Sequence, residues 1–248
     1  MKVAWVQDLD PLLHEGGAQA NDRAMIYAGF KRGHEIHIVH PPTNPHRLAE
    51  AWDLVVVSNA TTLAHTAYDA FLGRCPTLLF VHDFVSLCRH RLHFPMEERC
   101  RTICYLRDRW RPILSRIGGI VWLSPLHREA WLFAYPELTE SRHALVPSPV
   151  DPERFRDLGL VRTGVICVQS LAAFKGADNV IRWAEEHPEQ SITAVDSNPE
   201  GRTLPGNMNL VGMVPNHELN ALYNRHETVL HRPDNVEPFG RVCAEAAL

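Results

Sequence analysis

The chain has 248 residues, 45% of them apolar and 22% charged, and a formal net charge of −4. That length suits one large domain or two small ones, the composition is that of a globular protein, and no apolar run reaches the roughly 18 residues of a membrane span. The charge excludes a molecule-wide field for nucleic acid or anionic membrane, and six cysteines are too few for a secreted disulfide scaffold, so the expected location is the cytosol.

The first segment, Val3–Val6, is a β-branched run that reads as a strand rather than a signal peptide. Polar, glycine-containing sequence follows, and a helix is predicted from about Ala18 to Lys31, stopped by Gly33. Strands are predicted at Glu35–Val39 and Asp53–Val57, then a helix near Leu63–Leu72. Thr77–Val81 is an apolar strand ending in His82-Asp83. Helices near Arg107–Ile117 and Pro125–Phe133 alternate with strands Gly119–Leu123 and Ala144–Val146. Such alternation predicts a parallel, doubly wound α/β sheet.

Three prolines in the seven residues Val146–Pro152 interrupt the pattern and read as an interdomain linker. The alternation then restarts. Strands are predicted at Val165–Val168, Ile192–Val195, Asn209–Gly212 and Thr228–Leu230. Helices are predicted at Ala177–Glu186, at Pro215–Tyr223 and from Gly240 onward. The expected organisation is a first Rossmann-like domain over 1–146, a linker over 147–157 and a second Rossmann-like domain over 158–248. The last helix has no stop signal and the second domain is small, so the sequence is expected to be shorter than the complete architecture.

Ligands of doubly wound sheets sit at the carboxyl ends of the strands. Four segments fall there. Gly16-Gly17 precedes the first helix, where paired glycines either bring backbone N–H groups close to an anion or simply make a tight turn. His82 either donates to substrate hydroxyls or caps its strand and pairs with Asp83. Lys175 precedes a helix in Ser170-Leu171-Ala172-Ala173-Phe174-Lys175-Gly176, suited to a phosphate or to solvent. The chain has only three lysines (Lys2, Lys31 and Lys175) among its 25 basic residues, so a lysine here is more informative than an arginine. Glu237 and Glu245 flank Pro238-Phe239-Gly240, which offers backbone donors at a helix start between two carboxylates. The bland alternative is two unrelated surface acids.

The order and spacing of these segments resemble the glycosyltransferase family 4-like retaining glycosyltransferases of GT-B fold. The matching text is GGAQANDRAMIYAGFKRGHEIHIVHP, FVHDF, VPSPVDPERF, SLAAFKG and NLVGMVPNHELNALYNRHETVLHRPDNVEPFGRVCAEAAL. The resemblance implies two Rossmann-like domains facing a cleft and transfer of a sugar from a UDP- or GDP-sugar to an acceptor hydroxyl. It implies that Glu237 holds donor-sugar hydroxyls and Glu245 the ribose. Lys175 and the backbone of Phe239 and Gly240 would hold the diphosphate, and Gly16 and Gly17 would close over the donor. His82 would face the transferred sugar. His82, Lys175 and Glu237 are therefore the expected catalytic residues, and no metal or other cofactor is expected. Ser170 stands where family members carry an arginine, which leaves an alternative: a sugar-nucleotide-binding or partner subunit without turnover.

Between Arg89 and Arg116 lie eight arginines, and Arg107-Asp108-Arg109-Trp110-Arg111 interleaves an aromatic. This reads as a solvated helix face or as a docking surface for an anionic acceptor, with Asp83, Arg107, Arg109 and Arg111 on the acceptor side. The acceptor would be a glycan, a lipid or another hydroxyl compound, with peripheral membrane contact through the segment 89–116. Cys88, Cys100 and Cys104, with His90 and His93 nearby, offer zinc-ligating atoms but lack the usual Cys-x2-Cys spacing, so zinc binding there stays open and no metal is assigned.

Overall fold

The computed structural model describes residues 1–14, 16–40, 44–58, 60, 65–84, 105–234 and 236–248. The chain divides into two compact units, Met1–Pro149 and Val150–Leu248. In the first, the strands are β1 (Lys2–Val6), β2 (Glu35–Val39), β3 (Leu54–Ser58), β4 (Thr77–Phe80), β5 (Gly119–Trp122) and β6 (His143–Leu145). Helices α1 (Gly17–Lys31), α2 (His65–Tyr68), α3 (Tyr105–Leu114) and α4 (Pro125–Ala134) alternate with them. All pairings are parallel, in the order β2-β1-β3-β4-β5-β6.

Local sequence explains the elements. Val3–Val6 and Val55–Ser58 are buried at every position, as strands covered on both faces must be, and both read as unbroken apolar or small runs. Gly33 ends α1 with φ at +76°, its N–H donating to the Phe30 carbonyl oxygen. Pro125 opens α4 after Ser124, whose hydroxyl accepts from the His127 N–H at 3.1 Å. The helix expected near Leu63–Leu72 is a single turn, His65–Tyr68, among the described residues.

The second unit holds β7 (Val165–Val168), β8 (Ile192–Val195), β9 (Met208–Gly212) and β10 (Thr228–Val229), parallel in the order β10-β7-β8-β9. Its helices are α5 (Ala177–Glu186), α6 (Leu219–Arg225) and α7 (Arg241–Ala246). Helix α6 begins four residues later than Pro215, because residues 215–218 form a turn closed by the Glu218 N–H on the Pro215 carbonyl oxygen.

Both sheets reverse strand order once. In the first unit β1 lies between β2 and β3, and in the second β7 lies between β8 and β10. Helices leave opposite ways at such a point, so the carboxyl ends of β1 and β3, and of β7 and β10, each border a crevice.

The first core is rich in aromatic residues: Trp122 packs against Trp131 with ring centres 5.6 Å apart, and Trp131 against Tyr135 at 5.8 Å. His127 is fully enclosed among them, edge-on to Trp122 and Phe84. Burial pushes its pKa down to about 4, against a weaker opposing bond to the Asp83 carbonyl. An unfolded imidazole binds its proton near pH 6.5. Acid therefore favours the unfolded chain: the stabilisation is complete above pH 6.5 and is lost as pH falls toward 4. Urea midpoints at pH 7 and pH 4.5 should show the wild-type protein losing about 2–3 kcal/mol more than His127→Gln. Equal losses in the two proteins would mean that His127 does not set the acid limit.

Candidate active site

The carboxyl edge of the first sheet carries a buried polar cluster. The Gln7 amide follows β1, and oriented with its nitrogen toward the neighbouring acceptors it donates to Asp22 Oδ2 at 2.8 Å and to the Leu9 carbonyl at 3.0 Å. Asp22 lies in α1, is fully buried, and accepts at Oδ1 from the Ser58 hydroxyl at 2.7 Å. His82 follows β4 with its side chain only 3% exposed. Its Nε2 lies 2.8 Å from Ser58 Oγ and 3.0 Å from Asp22 Oδ1. Asn21 Nδ2 donates to Ser148 Oγ at 2.8 Å and sits 3.4 Å from His82 Nδ1. That geometry suits the tautomer with the proton on Nε2. His82 thus pairs with Asp22 rather than with Asp83, and both of its ring nitrogens are engaged within the unit. Asp83 instead offers its backbone carbonyl to His127 Nε2 and Trp131 Nε1, each at 3.3 Å.

Beside this cluster Gly16 precedes α1, and Gly17 is its first residue. A Cβ on Gly16 would run into the side-chain oxygen of Gln19. Among the described residues no side chain caps α1, so its leading N–H groups keep their capacity for an anion.

In the second unit Lys175 and Glu237, separated by 62 positions, meet at 3.2 Å. Their side chains are 39% and 25% exposed. A pair this open contributes about 0–1 kcal/mol, so a ligand can separate it at little cost. Two devices hold the surrounding loops together. Gln169, just past β7, donates to the Lys175 carbonyl at 2.8 Å and accepts from the Arg232 N–H at 3.3 Å. Gly176, at φ +82°, lies so close to the 232–234 loop that a Cβ would strike the Arg232 carbonyl oxygen and come within 2.7 Å of the Asp234 nitrogen.

Glu245 is buried in α7, where Arg241 Nη2 donates to it at 2.8 Å and the Tyr223 hydroxyl at 3.4 Å. Burial, with Glu245 beside it, pushes the Tyr223 hydroxyl well above its ordinary pKa. Phe239 and Gly240 enter α7: the Phe239 carbonyl accepts from Arg241 N–H at 2.7 Å and that of Gly240 from Ala244 N–H at 3.1 Å. Ser170, at the position of the expected arginine, lies 3.1 Å from the Ser197 hydroxyl.

The arginines expected on the acceptor side lie in different settings. Arg109 is exposed on α3, whereas Arg111 donates to Glu137 and lies 3.8 Å from Asp108. Arg107 belongs to α3, but its side chain, with residues 85–104 and so Cys88, Cys100 and Cys104, lies outside the described residues. Among the described residues no three His, Cys, Asp or Glu side chains group as metal ligands, and no helix is long and apolar enough to cross a membrane.

The architecture has close counterparts among solved structures. Sucrose-phosphate synthase from Thermosynechococcus elongatus superimposes with a TM-score of 0.73 at 14% identity, over 99% of this chain and 78% of that one. AviGT4, a glycosyltransferase involved in avilamycin A biosynthesis, gives 0.64 at 15% identity, over 99% and 75%. HepE from Anabaena, solved in complex with UDP and glucose, gives 0.62 at 15% identity, over 99% and 78%. The fold is that of the GT-B glycosyltransferases. A scan of protein-family models and a search of curated protein sequences find no match.

Within this GT-B fold several residues of the two clusters escape a reading of the sequence. Asp22 and Ser58 look like a helix-surface acid and a strand-end serine, and only the pairing of distant segments turns them toward His82. Gly176 carries a signal, since a glycine that closes a helical turn, here Ala173–Lys175, often takes the left-handed conformation. Gly176→Ala should cost about 1–2 kcal/mol for the left-handed backbone and about 1–3 kcal/mol for overpacking against residues 232–234. Chemical denaturation measures this; a loss below about 0.5 kcal/mol would show that the two loops are not locked there.

Proposed function

We propose that the protein is a retaining glycosyltransferase that moves a sugar from a nucleoside-diphosphate sugar, UDP- or GDP-linked, to an acceptor hydroxyl. The observation that carries this reading is the meeting of Lys175 and Glu237 at the carboxyl edge of the second sheet, beside its switch point. A cation and a carboxylate there match the two ends of such a donor. The diphosphate takes the ammonium, and the sugar hydroxyls donate to the carboxylate. HepE, which shares the fold, was solved with UDP and glucose, and ligands of that class are consistent with this reading.

On this reading Lys175 meets the diphosphate as a point charge, with backbone N–H groups at Phe239 and Gly240 beside it. Glu237 orients the sugar. Glu245 exchanges part of its contact with Arg241 for ribose hydroxyls. Gly16, Gly17 and His82 serve from the first unit, and Asp83, Arg107, Arg109 and Arg111 belong to the acceptor side. The acceptor is a glycan, a lipid or another hydroxyl compound, reached through the segment 89–116, where peripheral membrane contact also falls.

The acceptor oxygen bonds to the anomeric carbon on the face that the phosphate leaves, so configuration is retained. The carbon–oxygen bond to the phosphate breaks, and the acceptor's proton passes to the departing phosphate oxygen. The charge that develops on that phosphate is the largest demand, and Lys175 answers it without a metal. One observation favours a second reading, a subunit that binds donor without turnover. At the arginine position Ser170 offers the phosphates only a hydroxyl, which already faces Ser197.

A melting-temperature panel of nucleotide sugars tests donor binding. At 100 times its dissociation constant a donor should add about 2.7 kcal/mol of stability. Lys175→Ala should then lower donor turnover by about 2–4 kcal/mol in transition-state stabilisation, with Lys31→Ala near wild type. A flat panel would overturn the donor site. Binding with no hydrolysis or transfer would favour the subunit reading.

A further inference from the structure

The ladder between β10 and β7 extends to Leu230, whose N–H donates to the Ile166 carbonyl at 2.8 Å. The next residue is His231, at the crevice of the second switch point. Both of its ring nitrogens are shielded from solvent, and neither has a hydrogen-bond partner among the described residues. The other buried, unpartnered side-chain nitrogens among the described residues are single atoms, in Trp5, Trp122, His127 and Arg154. His231 alone leaves two unused. A buried polar group without a partner costs on the order of 1–3 kcal/mol, which an apolar residue at the same place would avoid.

The surroundings give these nitrogens a use. The backbone beyond His231 is fixed by the Arg232 N–H on Gln169 and by Gly176 against the Arg232 carbonyl. The charges of Glu237 and Lys175 act on the ring in opposite senses, and burial, the larger influence, lowers its pKa. A neutral imidazole presents one N–H donor and one acceptor. A hydroxyl both accepts and donates and so uses either nitrogen. A fully ionised phosphate only accepts and uses one. His231 as a residue is half-buried, so a change of rotamer turns its nitrogens toward a ligand in the crevice.

We propose that His231 binds a hydroxyl of the donor sugar, beside Glu237. The assignment rests on the donor-site reading given above. It separates two parts of one ligand: His231 recognises the sugar, whereas Lys175 recognises the diphosphate.

The experiment compares UDP-glucose with UDP, GDP-mannose with GDP, and ADP-glucose with ADP, by calorimetric titration of wild type and His231→Leu. The pair that binds wild type most tightly is used. His231→Leu should weaken the nucleotide sugar at least tenfold and leave the nucleoside diphosphate within about twofold. Without ligand it should melt at or above the wild-type temperature, because two orphaned nitrogens are gone. A purely structural histidine would instead lower the melting temperature and leave the sugar-to-nucleotide affinity ratio unchanged, which would overturn the proposal. If His231→Leu does not fold, the same ratio is measured on His231→Met, whose flexible side chain fills the site differently. A wild-type protein that binds none of the six compounds overturns the donor-site reading and this assignment with it. A wild type that binds, with an unchanged ratio in the variant, overturns this assignment alone.

Discussion

In a parallel sheet every strand points the same way, so every loop that leaves a strand emerges on one edge. The hydrogen-bonded ladder fixes that edge, and the apolar strand interiors leave polar side chains nowhere else to collect. Gln7, Ser58 and His82 all stand just at or beyond the ends of their strands, and Ser148 follows the last strand of its sheet. Gln169, Ser170 and His231 do the same in the second unit. Chemistry-bearing residues far apart in sequence are thus gathered by backbone direction alone, before any side chain makes a specific contact.

The two edges handle polarity in opposite ways. In the first unit the buried carboxylate of Asp22 receives Ser58 and His82 on one oxygen and the Gln7 amide on the other. A carboxylate supplied in this way is tolerable in an apolar interior, and removing a donor leaves part of its hydrogen-bonding capacity unmet. In the second unit the groups are only partly matched. Lys175 and Glu237 meet half-buried, and among the described residues the ring nitrogens of His231 have no partner. The polar groups of the first edge satisfy one another, whereas those of the second are only partly paired among the described residues.

How far the amino-acid sequence disclosed this depends on the range of the interaction. Strands such as Val3–Val6 and helix starts such as Ser124-Pro125 are local matters, and their signals are local. Lys175 and Glu237 stood out singly, one by the scarcity of lysine and the other by its place before Pro238-Phe239-Gly240, although their contact spans 62 positions. Asp22, Ser58 and His231 gave no comparable sign. Asp22 interrupts no periodicity in an alanine-rich helix, Ser58 closes an apolar strand as many serines do, and His231 is one of 15 histidines. Their roles arise from sheet order, which no short window of sequence contains.

The close approach of Gly176 to residues 232–234 has a consequence for how this protein can vary. The loop that carries Lys175 and the loop that leads to Glu237 touch backbone to backbone, so neither can lengthen or drift by itself. A substitution at Ser170, Ser197 or His231 therefore changes the chemistry of this crevice while leaving that backbone contact in place. Directed evolution of the same crevice should be more productive as a side-chain library at those sites than as loop insertions across 232–236.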